Sequence, residues 1–340
     1  MAERDKPRAV TVYDVARRLD LSPSTVSRVL NNSLLISSEK SDLILRTAAE
    51  MGYVKRTIRR HAARSILNIA LFLPIAPEAQ IHLFYDFAEL IVSIKAGFGN
   101  TRANIVTVPV GCAEEVIGQK KIGGIDGCIF AFSEPDSAFT AVCRAKDIPI
   151  VLLNRTDPEL DYVTADNEGG VVRLVELANR VYGNAIRPAF VSFPVMSHVS
   201  ALRERGFNVG CERVGVAGAD RRVYRIHDLR EVPGVLEAVT ADERNIVVCF
   251  NDILAVSLYQ AALHRGVRIP EDFGLTGFDN SPVAGLLDKK ITTIDLAVGE
   301  LGQRAATWLR ERIIERSQVR LADTVPGRLI VGETVGSKRG

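Results

Sequence analysis

The sequence predicts a multidomain chain, with a small all-α head followed by an α/β core of two doubly wound parallel-sheet subdomains. Three observations predict it. Residues 11–51 hold three helix-length segments with start signals and apolar residues at helical spacing. From Leu67 onward, apolar runs of strand length alternate with amphipathic stretches of helix length. Between them lies "YVKRTIRRHAARS" (53–65), five Lys/Arg and one His just before the first core strand. A chain of 340 residues, 47% hydrophobic and 25% charged, has room for two or three domains.

In the head, Thr11 precedes a helical pattern with Asp14 three residues on, a capping box. Val12, Val15, Ala16 and Leu19 keep the helical period. Ser22 is a good N-cap, and Pro23 suits the first position of a second helix. There Val26, Val29 and Leu30 face inward. Ser24, Thr25, Ser27, Arg28 and Asn31 stay outside, short donors and acceptors with one long cation. Two short helices with a tight turn, the second polar outside, describe a helix-turn-helix whose second helix enters the major groove of double-stranded DNA. Ser37 caps a third helix running to Met51, with Leu43, Ile44, Ala48 and Met51 as its seam and Gly52 at its end.

Charge is segregated along the chain. Residues 1–66 carry 13 Lys/Arg against 7 Asp/Glu, a net of +6, and the remainder is −4. A basic head on an acidic body suits a polyanionic partner. No apolar stretch is long enough to span a bilayer, and "MAERDKPRAV" lacks the apolar core of a signal peptide, so the expected location is the cytoplasm. The five cysteines include no CxxC pair and read as reduced, buried thiols. The five histidines lack ligand spacing, so no metal is expected. "GFGN" (97–100) is no dinucleotide fingerprint, and GxxxxGK[ST] and GxSxG are both missing. Neither a catalytic residue nor a cofactor is expected.

The core reads as strands "LNIALFL", "NIVTVPV", "IDGCIFAF", "IPIVLLN", "PAFVSF", "VYRI", "NIVVCFN" and "FGLTGFD". Helices are expected between them around 83–99, 113–121, 135–146, 167–182, 198–211, 230–239 and 252–265. In open parallel sheets, ligands sit beyond the carboxyl ends of the strands. Three runs end there on a polar group, Asn154, Asn251 and Asp279, and Arg203 opens the helix after "PAFVSF". Planar amide, carboxylate and guanidinium groups suit the adjacent oxygens of a sugar-like metabolite. Read from pattern alone, the same residues can equally cap turns and helices.

"TVYDVARRLDLSPSTVSRVLNN" followed by "AAEMGY" resembles the DNA-binding head of the lactose/galactose repressor (LacI/GalR) family. The resemblance extends over essentially the whole chain. It implies a head of 1–54, a hinge of 55–66 and an effector-binding core of 67–340 similar to periplasmic binding proteins. Within the core it implies an N-subdomain of about 67–163 with 296–322 and a C-subdomain of about 164–292 with 323–335. Pro23, Ser24 and Arg28 match positions that read bases. Ser22, Thr25, Ser27 and Asn31 match positions that hold phosphates and register, and Thr11 joins the same interface. Asn154, Arg203, Asn251, Asp279 and the aromatic Phe87 match the family's effector site.

The sequence departs from the family pattern in places. Residues 81–84 and Asp86 replace an "NPFF" stretch, Asn154 replaces a more frequent Asp, and Gly332 stands where Arg is usual. In the hinge, Lys55, Arg56, Arg59 and Arg60 supply cations for phosphates. Lys55 replaces a usual proline, however, and Ala62 occupies the place of the leucine that wedges into the minor groove. The expectation is a homodimeric regulator, a repressor bound to a palindromic operator and controlled by a small polar effector. With no leucine heptad after the last predicted strand, pairing of dimers into tetramers is not expected. An activator or dual regulator of the same family, a solute-binding module and, third, an enzyme of doubly wound fold are the alternatives.

Overall fold

Thr11 and Asp14 form the expected reciprocal cap. The Thr11 N–H donates to Asp14 Oδ2 at 2.8 Å, and the Asp14 N–H donates to Thr11 Oγ1 at 3.3 Å. They start α1 (Val12–Leu19) in a computed structural model that describes residues 10–30, 38–51, 53, 66–74, 85–113, 124–183, 186–193 and 197–336. The side chains of Ser24, Ser27, Arg28, Ser38, Glu39 and Ser197 are outside that description. The chain forms two compact units, Met1–Ala62 and Ala63–Gly340.

In the first unit, α2 (Pro23–Leu30) starts at Ser22, whose Oγ accepts from the Thr25 N–H at 3.1 Å. With α3 (Ser38–Glu50) the two helices bury Val15, Ala16, Val26, Val29, Ile44 and Ala48 in one small core. One expectation fails here. Leu43 is 53% exposed, and Thr47 is buried in its stead. Positions 44, 47, 48 and 51 share a helix face, and residue 43 lies about 100° away from Ile44 around the axis.

The second unit opens with β1 (Leu67–Leu73), α4 (Phe87–Gly97), β2 (Ala103–Pro109), β3 (Gly127–Ala131) and α5 (Ser137–Ala145). β4 (Ile150–Leu153), β5 (Asp161–Ala165), α6 (Asn167–Tyr182), β6 (Pro188–Ser192) and α7 (Ser197–Arg213) follow. Next are β7 (Arg222–Arg225), α8 (Val232–Ala241), β8 (Ile246–Cys249), α9 (Asp252–His264) and β9 (Gly274–Thr276). The chain then adds β10 (Thr293–Asp295), α10 (Val298–Arg310), β11 (Ala322–Val325) and β12 (Arg328–Ile330).

Two parallel sheets result, ordered β11-β5-β4-β3-β1-β2 and β7-β6-β8-β9, with β10 and β12 as a separate antiparallel pair. Strands such as "GCIFA" and "IVVC" are buried at every residue, because helices cover both faces of a parallel sheet. The chain passes between the lobes three times, after Ala165, Asp295 and Val325.

These crossings correct the expected subdomain limits. β11 pairs with β5 from Ala322↔Tyr162 to Val325↔Ala165, so residues 323–325 lie in the first lobe and not the second. β5 likewise carries the first lobe to Ala165 rather than 163. The sequence pattern passed over β5, β10, β11 and β12. Each has three to five residues, and "DYVTA", "ADTV" and "RLI" lack the continuous apolar run of a central strand.

Glycines set the closest helix crossings. A Cβ on Gly97 of α4 would lie 2.4 Å from the Gln303 carbonyl of α10, and one on Gly206 of α7 would lie 2.3 Å from the Glu168 carbonyl of α6. Backbone cannot retreat from a methyl as a side-chain tip can. We therefore expect Gly206→Ala to lower stability by about 1–3 kcal/mol in urea unfolding. Gly234→Ala, with nothing within 4 Å of the added Cβ in α8, is expected to raise it by about 0.5–1 kcal/mol. Equal effects at both sites would show that the α6–α7 crossing is not limiting.

Candidate functional site

The strands of the two lobes in the second unit point their carboxyl ends at a shared pocket of about 460 Å³ of empty space, part of it open to solvent. From the first lobe come Pro74 after β1, Phe132 after β3, and Asn154 and Arg155 after β4. The second lobe gives Val199 and Arg203 from α7, Phe250 and Asn251 after β8, and Asp279 beyond β9. Tyr85 and Leu296 complete the wall. Of the five expected effector residues, Asn154, Arg203, Asn251 and Asp279 meet here.

Phe87 does not. It begins α4 with 41% exposure, and the aromatic that this stretch gives the pocket is Tyr85, whose ring stacks on Phe132 at 4.1 Å. Asp86 caps α4 through the Glu89 N–H (2.9 Å), which fixes where the helix starts and leaves Phe87 on its outer side. Burial pushes the Tyr85 phenol up, so it stays protonated.

Arg203 is the best-held group of the site, fully buried. Its Nε donates to Asn167 Oδ1 (2.9 Å), Nη1 to the Phe250 carbonyl (2.7 Å) and Nη2 to Asp279 Oδ1 (2.7 Å). The rings of Phe278 and Phe250 flank the guanidinium at 3.8 and 4.7 Å. Burial raises the Asp279 carboxyl above its ordinary range, while Arg203 and then Arg155 pull it back. Asn251 caps α9, its Oδ1 accepting from the Leu254 N–H at 3.0 Å. The capping and binding readings of Asn251 are therefore compatible, since one end of the amide serves each.

Three residues beside the strand ends hold positive φ, Phe132 (56°), Asn154 (56°) and Asp279 (106°). Asn tolerates that region, whereas for Phe it costs about 1–2 kcal/mol. Phe132 is held there by its own N–H to Leu153 O (2.9 Å) and by Arg155 Nη2 to its carbonyl (2.7 Å). Sequence reasoning missed Arg155, which lines the pocket, and Asn167 and Asp252, which lie outside its lining and hold its surroundings in place. Each directly adjoins a strand end or helix start in the quoted patterns, and that adjacency was the available signal.

In the first unit, Pro23 and Ser22 are exposed, and the hydroxyls of Ser22 and Thr25 lie 2.7 Å apart. Thr11 is engaged in the cap of α1. The side chains of Ser24, Ser27 and Arg28, and all of Asn31, Lys55, Arg56, Arg59, Arg60 and Ala62, fall outside the described residues. Among the described residues no group of His, Cys, Asp and Glu is placed to hold a metal ion, and no helix is long and apolar enough to cross a membrane.

Residues 11–55 match the model for bacterial regulatory proteins of the lacI family, and residues 186–335 match that for a periplasmic binding protein-like domain. The chain joins a helix-turn-helix domain of the LacI family to a periplasmic-binding-protein-like domain. It is a transcriptional regulator that binds DNA through a helix-turn-helix head. The NTD biosynthesis operon regulator NtdR of Bacillus subtilis is 27% identical over 95% of this chain and 99% of its own length. A LacI family regulator from Enterococcus faecium with bound ribose superposes with a TM-score of 0.67 at 19% identity, over 79% of this chain and 98% of that one. The lac repressor dimer bound to operator and an anti-inducer gives 0.63 at 18%, over 97% and 100%. At these identities the two structures establish the shared fold.

Behind the pocket the regulator buries a second carboxylate, Asp252. It accepts from Thr293 Oγ1 (2.7 Å) and the Ser281 N–H (2.7 Å), and a Cβ on Gly277 would lie 2.1 Å from its Oδ1. Burial, then the charge of Asp279, raises its pKa from 3.8 to about 7. The folded state thus holds this proton more tightly than the unfolded chain. That stabilising contribution is fully present below about pH 4 and is lost as pH climbs from about 4 to about 7. Asp252→Asn can still accept from Ser281 and donate to Thr293. We expect the variant to lose less melting temperature than the parent between roughly pH 5 and 8. Equal slopes in scanning calorimetry at fixed ionic strength would show that Asp252 does not titrate there.

Proposed function

We propose that this regulator is a homodimeric repressor that binds a palindromic operator and responds to a small polar metabolite held in the pocket between the lobes. The observation that carries the proposal is the buried Arg203–Asp279 pair (2.7 Å), placed with two carboxamides where three chain crossings join the lobes. A ligand touching Asn154 on one lobe and Asn251 and Asp279 on the other favours one lobe arrangement over another. Coupling of that kind is typically worth about 1–3 kcal/mol. The bound ribose of the Enterococcus faecium protein and the operator of the lac repressor dimer support the two halves of the reading by analogy. The pocket acts by binding rather than catalysis, and the protein acts in the cytoplasm.

A thermal-shift screen of sugars, sugar phosphates and nucleosides finds the ligand, because a molecule that binds the folded state raises the melting temperature. Mobility shifts on a palindromic site with and without the hit then test control. Asp279→Ala is a poor probe, since stranding a buried guanidinium costs about 3–5 kcal/mol. Asp279→Asn keeps an acceptor for Arg203. It is expected to shift the ligand dose response by about tenfold or more. An unshifted response removes Asp279 from the ligand site. In the head, Arg28→Ala is expected to cost about 1–3 kcal/mol of operator affinity and relax choice at one base pair per half-site. Equal loss on every single-base variant would assign Arg28 to phosphates.

A further inference from the structure

We infer that Thr156 and His198 form a clasp at the rim of the pocket, a hydrogen bond between the two lobes that sets how often they part. The inference adds regulation to the pocket read above as the ligand site.

The bond runs from one lobe to the other. Thr156 Oγ1 and His198 Nε2 lie 2.7 Å apart. Thr156 follows β4 in the first lobe, and His198 stands in the first turn of α7 in the second. Each adjoins a residue of the pocket wall, Arg155 on one side and Val199 on the other. His198 is exposed and Val199 is buried, so the bond sits where that wall meets solvent. The partners are 42 residues apart, and neither belongs to the chain crossings after Ala165, Asp295 and Val325. Their contact therefore depends on the angle between the lobes and not on local chain geometry.

A bond between two loose surface side chains would say little, but both of these stand on braced backbone. On the first lobe, Asp157 Oδ1 accepts from the Glu159 and Leu160 N–H groups (2.7 and 2.9 Å), and Arg320 Nη2 donates to the Pro158 carbonyl (2.7 Å). Just before Thr156, the Arg155 guanidinium holds the carbonyls of Asn154 and Phe132, each at 2.7 Å. On the second lobe, Ser200 Oγ donates to the Phe193 carbonyl (2.7 Å), which ties the first turn of α7 to the chain leaving β6. Farther along, α7 is fixed by the three bonds of Arg203. It also packs on α6 so closely that a Cβ on Gly210 would lie 2.9 Å from Val175. Two stiff supports joined by one bond make that bond a measure of lobe closure.

The chemistry suits a reversible closure. A hydroxyl both donates and accepts, so Thr156 pairs with Nε2 in either tautomer of the imidazole. Water competes for exposed partners, and a bond of this kind changes an equilibrium by only about two- to tenfold. Such a clasp opens readily, yet it sets the fraction of molecules that are open. Eight of the eleven residues lining the pocket are buried, so a ligand reaches them when the lobes part. Once inside, a ligand touching Asn154 on one lobe and Asn251 and Asp279 on the other favours the same closed arrangement as the clasp. Losing the clasp depopulates that arrangement and lowers apparent ligand affinity in proportion.

The test is thiol labelling by N-ethylmaleimide of the full-length protein carrying Leu296→Cys, read peptide by peptide in a mass spectrometer. Leu296 lines the pocket at 2% exposure and adjoins neither clasp residue, so a thiol there reacts when the lobes part. Cys128 in β3 and Cys211 in α7 are fully buried, one in each lobe, and report unfolding. Thr156→Val loses the hydroxyl and keeps the shape. It is expected to speed labelling of the pocket thiol by about two- to tenfold, and Thr156→Ser to stay at the parental rate. His198→Ala is expected to match Thr156→Val, and the two combined to exceed neither, because one bond is lost only once. Val199→Cys provides a second reporter, read with the Thr156 variants, should Leu296→Cys fold poorly. An unchanged rate in Thr156→Val overturns the inference. So do additive effects in the double variant, or an equal rise at Cys128 and Cys211. The readout needs neither ligand nor operator, so its failure is distinct from a ligand screen that finds nothing.

Discussion

The effector lobe is organised around one guanidinium. The Arg203 guanidinium is buried with 2% of its surface exposed, and an unpaired buried charge is far too costly for a folded protein to hold. Its environment meets the demand on every side. Two aromatic rings cover its faces and three acceptors take its edges, each from a different part of the chain. Asn167 starts α6, Phe250 follows β8, and Asp279 follows β9. Moving any of these segments strands a polar atom, so the charge fixes their mutual placement. The pair is a constraint on geometry more than a source of stability, because desolvation offsets much of its Coulomb attraction.

The constraint does not stop at one lobe. Asn167 accepts from Arg203 with one end of its amide and donates to Asn154 Oδ1 with the other. Asn154 ends a strand of the first sheet and Arg203 lies on a helix of the second, so the bonded chain crosses the junction between the lobes. Asp252 braces the same junction from behind through Thr293 of β10 and the Ser281 N–H. A ligand that alters either carboxamide acts on a network already shared by both lobes. A single-lobe pocket has no such lever.

Much of this was legible in the sequence. The head's caps at Thr11 and Ser22 were predictable because capping needs short polar side chains at fixed offsets from an apolar period. The buried strands were predictable because a parallel sheet covered on both faces must be apolar at every position. Asn154, Asn251 and Asp279 stood out as polar groups closing apolar runs, and α6 begins and ends at the expected residues, Asn167 and Tyr182. The misses also have physical causes. β5, β11 and β12 are short and partly exposed, so register with a neighbour defines them and their own pattern does not. Phe87 and Tyr85 are two residues apart, and the cap at Asp86 decides which of them faces the pocket. Arg155 carried no pattern of its own, because a charged residue after a strand is ordinarily solvated. Its burial follows from carbonyls that only the folded loops bring near.

The charge segregation gives the two units different tasks. The basic N-terminal 66 residues attract a polyanion, and the remainder, at −4, does not. DNA affinity is thereby concentrated in a head whose helices α1 and α2 are eight residues each and whose core holds, among the described residues, six buried apolar side chains. One such head bound alone meets a single half-site, and non-specific binding to phosphates is weak at physiological salt. In the proposed dimer two heads share one molecule, so the second meets its half-site at an effective concentration set by geometry. Tight binding then depends on both heads reaching both half-sites together. A change in lobe arrangement that spoils this match weakens operator binding without altering any residue that touches DNA. The sensitivity of the regulator to a small metabolite follows from that division. The ligand needs no access to the interface, because the weak individual heads leave most of the affinity under the control of the body that holds them.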